Sequence, residues 1–499
     1  MKTCRARVKK IVVALFAFNS ISLYLFFSFH PDHRSPFNTP TALPYSQSHL
    51  SLSLKPWPIL PSYLPWSHNP HTKFNSCEAF FGNGFTKEGE QVLLGGGGWF
   101  RCYYSDALKT SVCEGGRIRM IPDKIDMSHG GEKLESVIGR NESEELPNFQ
   151  DGAFQIEVAD RSKIGKQMVD EEFLDKFFEK GEILRHTVRE LIRSTRLSMP
   201  MNLFALRLWI EEPAILVTRF EYANLFHTVT EWYSAYVASR VTGLPNRPHL
   251  CFVDGHCEAP LQETWAALFS SLTYAKNFTG PVCFRHAILA PLGYETALFK
   301  GITQTIDCYG ASAHDLLKIP NDNKTARLSE FGEMIIAALG FPVDRHHIPK
   351  PNSGHNILFV RREDYMAHPR HAGKVESRLS NEQEVFDSIN IWASNHSKCR
   401  LNVVNGLFAH MPMKEQVRAI QDASVIVGAH GAGLTHIVYA TPNTVILEIS
   451  NNDYRGGGHF QLIAQWKGLG YHAIFLSGTY ARTPRVINKL SNILSGLGC

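Results

Sequence analysis

Between residues 201 and 499, short unbroken apolar runs alternate with amphipathic stretches, and this alternation limits the possible folds more than any other feature. AILVTRF (214–220), HLCFVDG (249–255) and PVCFRHAILAP (281–291) read as buried strands. NLFHTVTEWYSAYVASRV (224–241) reads as a helix opening with Asn224 near its N-cap, and another follows around LQETWAALFSSL. After a linker near 349–354 the pattern resumes. Strands are expected at 356–362, 401–406, 424–431, 444–450 and 471–477, with helices at 381–396, 413–423 and 459–468 and from Pro484. Strands apolar on both faces belong in parallel sheets covered by helices. The expected class is α/β: two Rossmann-type, doubly wound domains, 201–348 and 355–499, facing a cleft where a ligand would sit.

The N-terminal 200 residues read differently. Ile11 to Phe29 contains no charged residue, and nineteen helical residues at about 1.5 Å each span roughly the 30 Å of a bilayer core. Lys2, Arg5, Arg7, Lys9 and Lys10 precede it, so residues 1–10 should stay cytoplasmic and the bulk of the chain should be lumenal. A cleaved signal peptide would have a shorter apolar core followed by small residues; here His30, Pro31, Asp32 and His33 follow. The expectation is a signal anchor at 11–29 and a Pro/Ser-rich stem at 30–72, whose KPWPILPSYLPW stretch has the alternative of packing back on the globular part. Residues 73–200 form an N-terminal extension with a charged helical insertion from about 131. The run Gly95–Gly98 lacks a following Lys-[Ser/Thr] and reads as a turn rather than a phosphate cradle.

Those five basic residues exceed the formal net charge of +4, leaving −1 for everything after residue 10. A nucleic-acid partner is therefore not expected. N-x-[Ser/Thr] sequons at Asn141, Asn277, Asn323 and Asn395 suit a secreted location. Nine cysteines follow the apolar run, an odd number, which leaves at least one free or paired between chains, as in a disulfide-linked homo-oligomer. No Cys-x-x-Cys pair and no Asp-x-Asp motif occurs, so no metal site is expected.

Three patterns carry chemistry. In VIVGAHGAGLTH (425–436) a strand runs into Gly428, Gly431 and Gly433 and then a helix, so backbone amides can close on an anion. His430 and His436 there suit phosphate or sugar hydroxyls, or serve only as loop capping groups. Arg361 and Arg362 end the strand NILFV, where an arginine can grip a diphosphate, unless Glu363 and Asp364 tie both into salt bridges. His227 and Glu231, four apart, share a helix face within a turn of Asn224, which makes an acid/base-capable cluster or merely a polar helix face.

On these residues the chain resembles glycosyltransferase family 61. The broader family shares an Asn-x-x-His helix with an acid at +7, here Asn224, His227 and Glu231. It also shares a strand-end arginine, here Arg361 or Arg362, and the GxHGAGLT loop, here Gly428 to Thr435. Glu231 stands where other members carry Asp, which alters the carboxylate's reach. The resemblance implies a GT-B arrangement of the two domains and a single-pass type II Golgi membrane protein. It implies transfer of xylose from UDP-xylose to O2 of the core β-mannose of an N-glycan, with inversion and without a required metal. Within it, Glu231 and His227 are the base candidates with Asp254 in reserve. Arg361, Arg362, Gly428, His430, Gly431, Gly433 and Thr435 fall to the donor, and Glu448 to the ribose hydroxyls of UDP. Other readings are a transferase of UDP-GlcNAc or UDP-arabinose, or a lectin-like protein without turnover.

Overall fold

The computed structural model describes residues 48–49, 53–60, 85, 87–88, 92–95, 97–105, 108–180, 187–199, 208–303, 328–343, 354–362, 378–451 and 458–499. The apolar run at 11–29 with its basic flank, most of the 30–72 stretch, Asn323, Glu363 and Asp364 lie outside these residues. Among the described residues no helix is long and apolar enough to cross a membrane.

An antiparallel hairpin, β1 (Gly98–Ser105) and β2 (Thr110–Met120), forms one side of the first sheet, and the cross-strand pair Cys102 and Cys113 is disulfide-bonded. The glycine run lies at the turn into β1, where Gly97 has φ +96°, a conformation in which a side chain is strained. Four parallel strands follow: β3 (Ala214–Val217), β4 (His249–Phe252), β5 (Leu272–Tyr274) and β6 (Val282–Leu289). Their order is β5-β4-β3-β6, and β6 pairs antiparallel with β2. The chain thus adds strands outward from β3 and then returns to its other side. A crevice opens at the carboxyl ends of strands where order reverses in this way.

The second sheet is wholly parallel: β7 (Gly354–Val360), β8 (Arg400–Gly406), β9 (Val425–Ala429), β10 (Val445–Asn451) and β11 (Gly470–Leu476), in the order β8-β7-β9-β10-β11. Its reversal falls between β7 and β9. The strand and helix positions agree closely with those expected from the apolar periodicity.

Alternate residues of each central strand enter different cores, as a sheet buried on both faces requires. Ile215 and Val217 of β3, Leu358 and Val360 of β7 and Ile426 of β9 share one core. Helices α1 (Leu225–Val241) and α2 (Leu328–Ala338) fill that shared core between the sheets with Val229, Trp232, Phe331 and Ile335. From Thr228 to Val241 every residue of α1 is buried, which fits a helix enclosed on all sides rather than an amphipathic one. At Gly332 of α2 an added Cβ would lie 2.5 Å from Val438 O, so the halves meet backbone to backbone.

Ala214 and Leu216 face the outer side of the first sheet, against Ile118, Phe154 and Leu191 of the N-terminal extension. The charged insertion therefore supplies a covering layer. Ile357, Val425 and Leu447 face the outer side of the second sheet. There they meet Val385 and Ile389 of α3 (Glu382–Ser394) and Leu490 of the C-terminal helix Thr483–Gly496. Cys399–Cys499 ties the chain end to this layer.

Part of the proline-rich stretch packs on the first domain. Trp57 Nε1 donates to Leu244 O at 2.9 Å, its ring meets Tyr236 edge-on, and Lys55 reaches the Ala266 and Phe269 carbonyls. Asn141, Asn277 and Asn395 are all exposed, as glycan attachment requires. Cys251, Cys257 and Cys283 are buried.

Candidate active site

The β7/β9 crevice gathers the second and first sequence patterns. Val360 and Gly428 are paired in register, so Arg361 and Arg362 emerge beside Ala429, His430 and Gly431. Gly428 is required by space: a Cβ would lie 3.1 Å from Leu434 Cδ2 and 3.2 Å from Val360 Cβ. Gly433 packs on Val360 in the same way, at 2.9 Å. Gly431 has extended backbone, yet a Cβ there would meet Arg362 Nη1 at 2.9 Å. The glycines therefore let the strand end and its guanidinium sit directly on the loop. Arg361 is held elsewhere, 3.4 Å from Glu382 Oε2 and over the Phe386 ring, while Glu382 also accepts from the Arg362 amide at 3.2 Å. The 3-10 helix Ala432–Tyr439 begins at this corner with Gly431 as its N-cap residue, and Leu434 N donates to Gly431 O at 3.0 Å.

Glu448 of β10 completes the row of strand ends. One of its oxygens takes Nδ1 of His430 and the other the Tyr471 hydroxyl, and its side chain is 3% exposed. Thr435 and His436 are buried behind the loop, and among the described residues neither Thr435 Oγ1 nor His436 Nδ1 has a hydrogen-bond partner. Burial lowers His436 to about 3, so it is neutral at physiological pH.

The β3/β6 crevice is built around Glu231. Its carboxyl, 1% exposed, accepts from Phe220 N at 3.2 Å and Gly293 N at 2.9 Å, tying together the loops that follow the two strands. Burial pushes it up to about 8, although both amides and Arg219 favour the ionised form. Two turns earlier the Asn224 side chain caps α1 by accepting from Phe226 N at 2.9 Å. His227 is half-buried and stacked on Tyr294 at 5.1 Å, and its Nδ1, itself buried, has no partner among the described residues. Burial lowers it below the ordinary imidazole value, against the pull of Glu221. Asp254, following β4, is fully buried and held by Arg219 through its amide and the Nε–Nη2 edge of the guanidinium, at 2.7 to 3.1 Å. Burial alone would raise Asp254, but Arg219 and His256 outweigh it and keep it below the usual carboxylate range.

The two crevices adjoin through a residue that no pattern singled out. His459 opens the helix His459–Lys467; its ring stacks on Phe226 at 5.9 Å and lies 6.2 Å from His430. An acid/base-capable helix end and an anion-ready loop therefore share one corner. A family profile described as glycosyltransferase 61 matches residues 195–447, a span that holds His227, Glu231, Arg361, Arg362 and His430 and ends one residue before Glu448. The chain belongs to glycosyltransferase family 61.

Among curated relatives of this transferase, the Arabidopsis thaliana protein named beta-1,2-xylosyltransferase is 55% identical, covering 99% of each chain. The Oryza sativa subsp. japonica protein named beta-1,2-xylosyltransferase RCN11 is 59% identical over 90% of this chain and 84% of its own. The Gallus gallus EGF domain-specific O-linked N-acetylglucosamine transferase is 21% identical over 56% of this chain and 52% of its own.

Sequence reasoning brought Asn224, His227 and Glu231 to one crevice and Arg361, Arg362, His430 and the glycines to the other. It missed Arg219, Tyr294, His459 and Tyr471. Arg219 stands two residues past β3 and was open to notice as a charge at a strand's carboxyl end. Tyr471 and His459 carried no signal, because each looks like an ordinary member of a strand or helix. The transferase also buries a second polar network, in which His256 Nδ1 meets Glu145 Oε2 at 3.1 Å and Nε2 meets Arg219 O at 3.0 Å. This pins the N-terminal extension to the β3/β6 crevice.

Proposed function

We propose that this enzyme transfers xylose from UDP-xylose to O2 of the core β-mannose of N-linked glycans, with inversion. In this reading the halves 201–348 and 355–499 act as the acceptor and donor domains of a GT-B arrangement. The segment 11–29 would anchor them as a type II protein facing the Golgi lumen. The observation that carries the proposal is the near full-length similarity to two proteins named beta-1,2-xylosyltransferase, joined to a cationic strand-end crevice suited to a nucleotide diphosphate.

Inversion takes a single displacement. The acceptor oxygen bonds to the anomeric carbon as the bond to the phosphate oxygen breaks, and a base takes the hydroxyl proton. His227 fits the base: its ring is half-buried at the crevice and burial holds it below the ordinary imidazole value, which keeps it neutral. Glu231 serves better as the group that fixes the two loops, and Asp254 as the counter-ion of Arg219. Arg362, the amides of the Gly431–Gly433 loop and His430 would receive the charge of the departing UDP. The reaction then needs no divalent ion, and activity should survive EDTA.

The deciding experiment offers a panel of UDP-sugars with a GlcNAc-terminated N-glycan. Turnover of UDP-xylose with a β-1,2 linkage on the core mannose is expected. Turnover of UDP-GlcNAc alone, the sugar in the name of the Gallus gallus relative, would overturn the donor assignment. Binding without turnover of any donor would point to a lectin.

A further inference from the structure

We infer that Tyr294 is a specificity-determining residue for the acceptor, set in an aromatic corner that takes one ring of a neutral saccharide. The inference rests on the transferase reading above and names the residue that holds the acceptor within it. Tyr294 follows β6 in the 3-10 turn Gly293–Glu295 and is the centre of a group of four half-buried rings. Phe220, from the end of β3, meets it edge-on at 4.8 Å. Phe299, of the helix Ala297–Thr303, meets it at 4.2 Å, and His227 of α1 is stacked on it at 5.1 Å. The corner thus draws on strand ends from both sides of the order reversal, where a ligand crevice opens.

Rings enclosed by a core need no ligand to account for them. Phe220, His227, Tyr294 and Phe299 are not enclosed: each keeps part of its surface in water at the mouth of the crevice. Part-exposed rings gathered in a concave site suit a ligand with an apolar face. The polar groups then narrow its class. Among the described residues the contact partners of Tyr294 are all rings, so its hydroxyl is left for a ligand. Burial, with Glu231, Glu221 and Glu142, pushes that hydroxyl above its ordinary value, so it keeps its proton and can donate. The same acids exclude an anion. Glu221 bears on both Tyr294 and His227, and it is fixed in place by accepting from Tyr222 N at 2.8 Å and Ala223 N at 2.9 Å. Arg219 is taken up by Asp254. A phosphate or carboxylate would meet this acidic field, whereas a sugar ring offers a C–H face to the aromatics and hydroxyls to the tyrosine.

The placing bears on the reaction. The Tyr294 and His227 rings lie 27° from parallel, so a sugar hydroxyl held by Tyr294 brings its neighbour on the same ring beside the imidazole read above as the base. Tyr294 keeps its proton throughout, and no bond to it is made or broken. Phe226, one residue before His227, stacks on His459 at 5.9 Å and joins this corner to the donor side.

The test measures kcat and the KM of each substrate with UDP-xylose and a GlcNAc-terminated N-glycan, and UDP affinity by calorimetry, for wild type, Tyr294→Phe and Tyr294→Leu. Tyr294→Phe keeps the ring and removes the hydroxyl. Its acceptor KM should rise by about three- to tenfold, with UDP affinity within about twofold and Tm unchanged. Tyr294→Leu removes the ring as well, and its kcat/KM for the acceptor should fall by about 10²-fold or more. The same glycan carrying a phosphate on its core mannose should be used about tenfold less efficiently by the wild type. Should Tyr294→Leu fail to fold, Tyr294→Phe decides alone. The inference is overturned by a Tyr294→Phe enzyme with the wild-type acceptor KM, by one that loses UDP affinity as much as acceptor affinity, or by equal use of the phosphorylated glycan. A wild-type protein that transfers no sugar to the glycan from any UDP donor would refute the reading beneath it, which is a separate result.

Discussion

The two crevices have the same topological origin and opposite electrostatics. At the ends of β3 and β6 a buried acid joins the loops, taking the amides of Phe220 and Gly293, and presents a neutral histidine one turn away. At the ends of β7 and β9 the loops meet through glycines, and Arg361 and Arg362 gather there with Glu382 and Glu448, the last holding His430. One crevice is thus stitched by its own backbone and suits a proton acceptor for an uncharged hydroxyl. The other collects cations and short-side-chain backbone, which is what an anionic leaving group needs. The difference teaches that the reversal of strand order supplies a place, whereas the residues at the strand ends decide the chemistry.

If this division holds, Arg362→Ala should produce the largest effect, lowering kcat/KM by about 10³-fold or more with little change in Tm. Arg361→Ala, already engaged by Glu382, should cost far less; equal losses would break the distinction between the two arginines. His227→Ala should lower kcat by about 10²–10³-fold. Because the unprotonated ring is the active form and its pKa lies below the ordinary value, wild-type activity should hold through pH 6.5 and fall only at lower pH. A profile falling at or above pH 6.5 would shift the role of base to another group.

A pair of glycine substitutions sharpens the contrast. Gly431→Ala pushes on the Arg362 guanidinium, whereas Gly293→Ala pushes on Glu231 N at 2.7 Å. The first should cost about tenfold in kcat/KM with Tm nearly unchanged, because a flexible side chain yields. The second should cost about 1–3 kcal/mol of stability, because backbone does not. A pH-dependent effect concerns Glu231. Its folded pKa is raised to about 8, so the folded state holds a proton that the unfolded chain releases near the ordinary carboxylate value. Stability should therefore decline as pH rises from about 4.5 to about 8, and Glu231→Gln should flatten that slope. A wild-type slope unchanged by the substitution would place the proton elsewhere.

Most of the fold was legible in the sequence. Apart from His249 and Asn356 at their starts, AILV, HLCF, NILFV and VIVGA are apolar, and a strand apolar on both faces has few homes outside a covered parallel sheet. The Asn224 cap was legible for the same local reason, since capping involves residues two or three apart. Less of the site could be read. Glu231 looked like the base because it shares a helix face with His227. Only the arrival of Gly293, 62 residues later, shows its second oxygen already engaged. Glu448 looked like a ribose ligand until Tyr471, on the neighbouring strand, took an oxygen. Arg361 and Arg362 could not be separated from their spacing. The register of β7 with β9 brought one of them onto Gly431 and left the other to Glu382.

By itself the sequence determined the elements, their order and the identity of the groups at each strand end, because periodicity, capping and burial are set by near neighbours. Tertiary structure alone decided which of those groups were already satisfied. Hydrogen-bond partners for a buried carboxylate come from whichever strands and loops the topology sets beside it, and here they lie tens to hundreds of residues away.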